Sequence, residues 1–210
     1  ELLADRSFTT ALLTAVLGYL ALAGLLFLNT FYLQSERGLD AMSAGLMTIP
    51  LALGATASAV LAPRFVMHGR SRLALMLAGL LMAAGSAALW GTEHAALGWI
   101  VVPYLVFGLG FGLISDPVSV TALASLPTAK AGLASSLIST SKQVGQMLGI
   151  AGIGTVLAVA ATSSESVEFD DMGGWAWAIL TAAGLAVSAL NAMSRPAASR
   201  PAVSRAAATR

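Results

Sequence analysis

The sequence contains no cysteine, and only 10% of its 210 residues are charged. Without cysteine, neither disulfide bonds nor thiolate metal sites can stabilise the fold. An ordinary soluble domain carries about 25% charged residues, so the scarcity of charge argues against a soluble globular protein. Of all 210 residues, 57% are hydrophobic. That is the composition of a membrane protein.

The few charges are spaced so that long apolar intervals lie between them. Four intervals carry no charge at all: 7–35, 41–63, 73–92 and 172–194. Two more, 94–129 and 131–164, carry one charge each, Asp116 and Lys142. Because roughly 20 apolar residues cross a bilayer core as a helix, we predict an all-α integral membrane protein with a six-transmembrane-helix bundle. The predicted spans are about 8–33, 41–62, 73–90, 97–126, 133–161 and 175–193.

The loop charges separate by sign when the loops are numbered alternately. One set of loops is basic, with Arg6, Arg64, Arg70, Arg72, Lys130, Arg195, Arg200, Arg205 and Arg210. The other holds Arg37 among the acidic residues Glu36, Asp40, Glu93, Glu165, Glu168, Asp170 and Asp171. Lys and Arg mark the cytoplasmic side, so we predict a multi-pass plasma-membrane protein with both termini cytoplasmic. Residues 1–194 form the predicted transmembrane domain, and 195–210 a disordered basic cytoplasmic tail.

An acid followed by a proline lies inside the fourth predicted span, in FGLGFGLISDPVS. An intramembrane charge costs about 2.5 to 3.5 kcal/mol on insertion scales, which makes Asp116 a functional hypothesis. Pro117 removes a backbone donor and favours a bend. Lys142 lies at equal distance on the other arm of the same hairpin. Asp116 is therefore interpreted as the partner of Lys142 in an ion pair, as a titrating group in a cavity, or as a water-exposed interfacial residue.

Glycines on the same hairpin predict close packing between the fourth and fifth helices. Gly108 and Gly112 share a face with Asp116 at a spacing of four residues. The predicted opposing face is formed by Gly145, Gly149 and Gly152. Small residues let membrane helices approach closely. In the second span, Pro50 predicts a helix bend.

Other polar residues in the spans serve either as interhelical hydrogen-bond donors or as substrate contacts. Asn29 and Gln146 lie deepest and are the candidates, with Asp116, for the substrate or proton pathway. The loop with Arg64, Gly69, Arg70 and Arg72 is interpreted as a topology signal, with a conformational latch as the alternative, and Gly69 is predicted to end the helix before it. His68 and His94 fall in loops on opposite sides, and neither HExxH nor GxSxG occurs. We expect no enzyme activity, metal, cofactor or nucleic-acid partner.

Three stretches resemble a known family. YLQSERGLDAMSAGLMTIP, VPYLVFGLGFGL and SLPTAKAGLASSLISTSKQVGQMLGIAGIGTVLA are similar to segments of the fourteen-helix drug:proton antiporter branch of the major facilitator superfamily, the EmrB/QacA type. The matching positions in the last stretch are Gly132, Ala134, Ser135, Gln143, Gly145 and Gly149, with Lys142 where the family commonly has a basic residue. Val66 departs from the family's loop pattern, and the family offers no role for Asp116.

The resemblance implies proton-coupled efflux of multidrug or amphipathic compounds by alternating access. It implies small-molecule substrates, protons and the lipid bilayer as partners. It also implies that this chain is the carboxy-terminal half of the transporter, whose amino-terminal half is missing. Two alternatives remain, a proton-coupled metabolite transporter of the same fold and a non-transporting membrane module or fragment.

Overall fold

A computed structural model describes residues 6–91, 96–124, 131–162 and 169–193, and its regular structure over these ranges is helical. The helices are α1 (Arg6–Phe31), α2 (Ala41–Met47), α3 (Ile49–Met67), α4 (Ser71–Trp90), α5 (Val101–Ala124), α6 (Ala131–Thr162) and α7 (Phe169–Met193). A π-helical turn (Tyr32–Glu36) extends α1, and a 3₁₀ turn (Leu97–Ile100) leads into α5. Together they form six long segments in the described ranges. Five segments, those with α1, α2–α3, α4, α5 and α7, are long and apolar enough to cross a membrane. The predicted all-α membrane bundle is confirmed.

The second segment is interrupted where the sequence predicted a bend. α2 ends at Met47, Thr48 separates the two helices, and Pro50 lies in the first turn of α3. Proline fits the first turn of a helix because its missing N–H has no intrahelical partner there. The Thr48 hydroxyl donates to the Gly45 carbonyl at 2.7 Å. The segment therefore consists of two helices joined by one non-helical residue.

Short polar signals set the other helix ends. Asp40 caps α2, since its carboxylate accepts hydrogen bonds from the amides of Met42 and Ser43. Gly69 ends α3 with a φ of +67°. Its amide donates to Val66, and the next amide donates to Phe65, in the pattern of a Schellman motif. The predicted helix stop at Gly69 is confirmed.

Non-consecutive segments form the closest helix pairs. α3 packs along α5, α1 packs along α6, and α4 lies between α5 and α7, while α5 and α7 also contact α1. α5 and α6, although consecutive among the described helices, contact each other only sparsely. The largest buried side chains are Trp177, Tyr104, Phe8 and Phe107. The bundle core therefore lies around α1, α4, α5 and α7.

The predicted glycine contact between α5 and α6 is wrong in its partners. A methyl group at Gly108 or Gly112 would overlap the backbone of α3, at Leu51 and Ala55 respectively. The reason is that equal arm lengths fix the relative depth of two helices but not the direction each face points. α5 directs these glycines toward α3 instead.

The glycines of α6 also face a helix other than the predicted one. Gly145 and Gly149 lie against the backbone of α1 at Val16 and Leu20. Gly152 was assigned to helix packing as well, but it is exposed, and a methyl group there would meet no described atom within 4 Å. It points away from the face that contacts α1.

Helix direction divides the bundle into two ends. The basic end holds the start of α1, the α3–α4 turn and the end of α7. The acidic end holds the α1–α2 connection, the end of α4 and the start of α7. Contacts across the bundle support this division. Arg72 bonds Asn191 at the basic end, and Gly174 lies against the Trp90 ring at the acidic end.

Candidate functional site

Lys142 lies against an aromatic pair that joins three helices. Its ammonium is 5.3 Å from the centroid of the Tyr19 ring, on α1. The Tyr19 ring meets Phe111 of α5 edge to face, with centroids 5.2 Å apart. A cation over an aromatic face gains about 0.5–1 kcal/mol when exposed and about 2 kcal/mol when desolvated. α1 therefore supplies a partner for the charge that the sequence placed inside a span.

The Asp116 side chain, and with it the predicted bend at Pro117, lies outside what the structure describes, although the helical backbone of α5 continues through both residues. The backbone contacts of α5 and α6 with α1 show only at what depth residues 116 and 142 lie. Ile114 contacts α1 at Gly18, and Gly145 contacts α1 at Val16. α5 at residue 116 and α6 at residue 142 therefore lie along the same stretch of α1. The ion pair itself stays a prediction.

A cavity of about 250 Å³ lies near the acidic end, between α1 and the second segment. Its lining residues are Leu26, Asn29, Thr30, Gln34, Ala41, Ala44, Gly45 and Thr48. Asn29 is 2% exposed, and its Oδ1 has no hydrogen-bond partner among the described residues. An unpaired buried polar atom costs about 1–3 kcal/mol. The prediction that singled out Asn29 therefore falls on a residue with unused hydrogen-bonding capacity beside a cavity.

Two irregular stretches of backbone border this cavity. Gln34 belongs to the π-helical turn, and Thr48 is the residue between α2 and α3. π-helical turns occur frequently at functional sites. At membrane depth, non-helical backbone is tolerated where it is buried in protein or lines a cavity. The two departures from regular helix and the unpaired amide therefore coincide.

Gln146, the other pathway candidate, lies elsewhere. It is exposed on α6, next to the Gly145 contact with Val16. Val16 lies 13 residues before Asn29, so that level is about 20 Å from Asn29 along α1 at 1.5 Å per residue. The structure thus does not bring the two candidates together. Gln146 instead belongs to a polar face of α6 formed by exposed side chains, namely Ser136, Ser139, Thr140, Gln143 and Gln146.

The basic-end loop divides into residues with different roles. Arg64 and Arg70 are exposed, and Gly69 ends α3. Arg72 donates through Nε to the Asn191 carbonyl at 2.8 Å, and through a second guanidinium nitrogen to the carbonyl of Ala192. These are carbonyls in the last turn of α7, where a cation also opposes the helix dipole. Arg72 thus ties the start of α4 to the end of α7.

Sequence reasoning missed two residues that complete these contacts. Asn191 donates to the Thr14 hydroxyl at 3.0 Å and to the Val187 carbonyl, which joins α7 to α1. Tyr19 receives Lys142. The available signal was a polar or amphipathic side chain inside a charge-free interval, the same signal that identified Asn29.

Residues 1–150 match the sequence profile of the Major Facilitator Superfamily. The chain belongs to this superfamily. The superfamily consists of multi-pass membrane transporters, and the helix bundle of this chain agrees with that assignment. Membership points to a transporter rather than an enzyme.

Several characterised superfamily proteins are similar in sequence. Multidrug resistance protein Stp of Mycobacterium tuberculosis is 28% identical over 78% of this chain and 31% of its own length. Multidrug efflux pump LfrA of Mycolicibacterium smegmatis is 32% identical over 76% of this chain and 32% of its own. Puromycin resistance protein pur8 of Streptomyces alboniger is 31% identical over 79% of this chain and 36% of its own length. The chain therefore spans about a third of the length of these relatives.

Proposed function

We propose that this chain is the carboxy-terminal half of a proton-coupled exporter of amphipathic or cationic compounds, of the fourteen-helix branch. In this proposal it lies in the plasma membrane with both termini, and so the basic end, in the cytoplasm. Its substrate pathway runs between this bundle and an amino-terminal half.

The polar face of α6 is the observation that carries the proposal. Ser136, Thr140, Gln143 and Gln146 recur every three or four residues over the basic-end half of the helix, and Ser139 lies beside Thr140. These five side chains therefore share one broad side, which exposed Leu133 and Val144 border. The opposite side of α6 is buried against α1 through Gly145 and Gly149. Acyl chains offer no hydrogen bonds, so a polar face at membrane depth fits a water-filled cavity or a second protein surface. A half-transporter requires such a face.

The relatives support the substrate class. Their names describe multidrug resistance, multidrug efflux and puromycin resistance. Others are named for tetracenomycin C resistance and export and for methylenomycin A resistance. The proposal extends export of this kind to the protein that contains this chain.

Thiol labelling tests the α6 face, because these 210 residues contain no cysteine, and any cysteine in the rest of the whole protein is first replaced by serine. Single cysteines replace Thr140 and Gln143 on the polar face, and Leu53 and Val60 on the exposed apolar face of α3. In membranes containing the whole protein, a hydrophilic maleimide should modify the two α6 positions and leave the two α3 positions unmodified. Equal protection of all four positions would contradict a cavity along α6.

Transport is tested in everted membrane vesicles. An imposed proton gradient should drive accumulation of ethidium, and a protonophore should abolish it. Gradient-driven loss of ethidium would instead indicate import. Expression of the 210 residues alone should give no drug resistance, whereas the longer product should give it. Full resistance from the short chain would overturn the half-transporter proposal.

A further inference from the structure

The acidic-end cavity differs chemically from the Lys142 region and from the polar face of α6. Its described lining contains no ionisable side chain, since its polar groups are two amides and two hydroxyls. Its walls also include Leu26, Ala41 and Ala44, which are apolar. A cavity without a charge gives no counterion to an ammonium or a carboxylate, so it favours an uncharged group.

The hydrogen-bonding capacity of the lining can be assigned group by group. The Thr30 and Thr48 hydroxyl protons are used, because they donate to the carbonyls of Leu26 and Gly45. These two oxygens can therefore only accept further bonds. The Asn29 amide can both donate and accept, and its Oδ1 is unpaired within the described chain. A complementary ligand group must carry its own donor, and an acceptor as well to satisfy the amide N–H groups.

The volume limits how much of a ligand enters. Pockets that enclose drug-sized molecules measure about 300–1,000 Å³, and this one measures about 250 Å³. It is therefore sized for one end of such a molecule. The surrounding residues Leu26, Thr30, Gln34 and Gly45 are exposed, which leaves room for the remainder of the ligand outside.

We propose that this cavity, which Asn29 helps to line, binds the uncharged hydrogen-bonding end of an amphipathic small molecule, such as a primary carboxamide. The assignment of that molecule as an exported substrate rests on the proposed function. Binding itself does not, so the test measures occupancy without transport.

Gly45 provides the reporter position. It lines the cavity and is exposed, and a methyl group there would meet no described atom within 4 Å, so Gly45→Cys should fold. Gly152→Cys is the matched control, because Gly152 is equally open but lies on α6, away from the cavity. Each variant is prepared as the whole membrane protein in nanodiscs, with any cysteine outside these 210 residues replaced by serine, and is modified with a methanethiosulfonate reagent, with or without decanamide.

Decanamide should slow modification of the Gly45→Cys variant and leave that of the Gly152→Cys variant unchanged. Decyltrimethylammonium, which has the same chain length but a cationic end without donors, should protect the thiol at position 45 far less. Adding Asn29→Leu should remove the protection by decanamide. Asn29→Asp, which retains the shape and adds a charge, should shift the protection toward the cation.

Equal protection by the two amphiphiles, or decanamide protection that survives Asn29→Leu, would overturn the proposal. The Asn29→Asp variant and the unliganded labelling rate show whether the protein is folded. If vesicles fail to export drugs while the thiol at position 45 is protected as described, the proposed function fails and the binding site stands. If vesicles export drugs while the thiol at position 45 is not protected, the binding site fails and the proposed function stands.

Discussion

The α3–α5 pair and the α1–α6 pair are built by the same device and yet face different surroundings. In both pairs the two helices run parallel, and glycines bring one backbone against the other. The outward face of α3 is apolar, with Leu53 61% and Val60 69% exposed. The outward face of α6 carries mostly polar side chains over its basic-end half, with the exposed apolar side chains of Leu133 and Val144 at its border. Glycines thus indicate which face of a helix packs inside the bundle. The polarity of the opposite face indicates whether lipid, water or protein surrounds it.

The sharpest way to break this comparison is to place the same charge on each outward face. Leu53→Asp should destabilise the protein by about 3 kcal/mol, because α3 exposes this position to an apolar medium near the middle of its segment. Gln146→Asp, at a similar depth on α6, should be tolerated. Yield and thermal unfolding of the purified protein are the measurements, with Leu53→Ala as control. Equal losses at both positions would remove the distinction between the two faces.

A second prediction tests what the pairs have in common. Gly112→Ala on α5 and Gly149→Ala on α6 should each lower stability by about 2 kcal/mol, since the new methyl group overlaps the backbone of the neighbouring helix. Gly152→Ala, on the open side of α6, should change little. Thermal unfolding of the purified variants in detergent measures these differences in stability. If the Gly152 variant falls as far as the Gly149 variant, the assigned face of α6 is incorrect.

Tyr19 distinguishes the α1–α6 pair from the α3–α5 pair, because its ring receives the Lys142 ammonium across the pair, and no such contact joins the described residues of α3 and α5. Tyr19→Leu should cost about 1 kcal/mol through loss of the contact with Lys142. Tyr19→Phe should retain most of it. A double-mutant cycle with Lys142→Met isolates the coupling. Additive effects would show that the two side chains do not interact.

The smallest expected effect concerns the start of the α2–α3 segment. The Ser43 hydroxyl and amide, both donating to the Asp40 carboxylate, hold the pKa of that carboxyl below its ordinary value of 3.8. The ionised form therefore stabilises α2 above that value, and the contribution is lost as the pH falls through the lowered pKa. Asp40→Asn keeps a cap and should remove this pH dependence, whereas Asp40→Ala should lower the unfolding temperature at neutral pH. Identical acid-side profiles for wild type and Asp40→Asn would contradict the assignment.

Sequence was sufficient for the features that depend on local chemistry. The apolar intervals predicted the helical fold class, Pro50 the interruption of the second segment, and Gly69 the end of α3. Asn29 was singled out because an amide inside an apolar interval is conspicuous, and its role in a substrate or proton pathway stays a prediction. Each of these follows from one residue and its immediate neighbours.

The partners of the helix faces could not be predicted in the same way. Hairpin symmetry correctly suggested a shared depth for residues 116 and 142. It also suggested that the glycines of α5 and α6 contact each other, whereas those of α5 contact α3 and those of α6 contact α1. Facing direction depends on how six segments pack at once. The cavity likewise arises from two helices and a π-helical turn, and no single residue encodes it.

The hydrogen-bonded cluster of Arg72, Asn191 and Thr14 has a practical consequence for observing this protein at work. It fastens α4, α7 and α1 together at the basic end, while the acidic end contains the break at Thr48. A nanobody raised against the fastened end should bind every conformation of the protein with equal affinity. One raised against the interrupted end should prefer some states over others. The first would serve as a fiducial marker for imaging, and the second as a reporter of conformation.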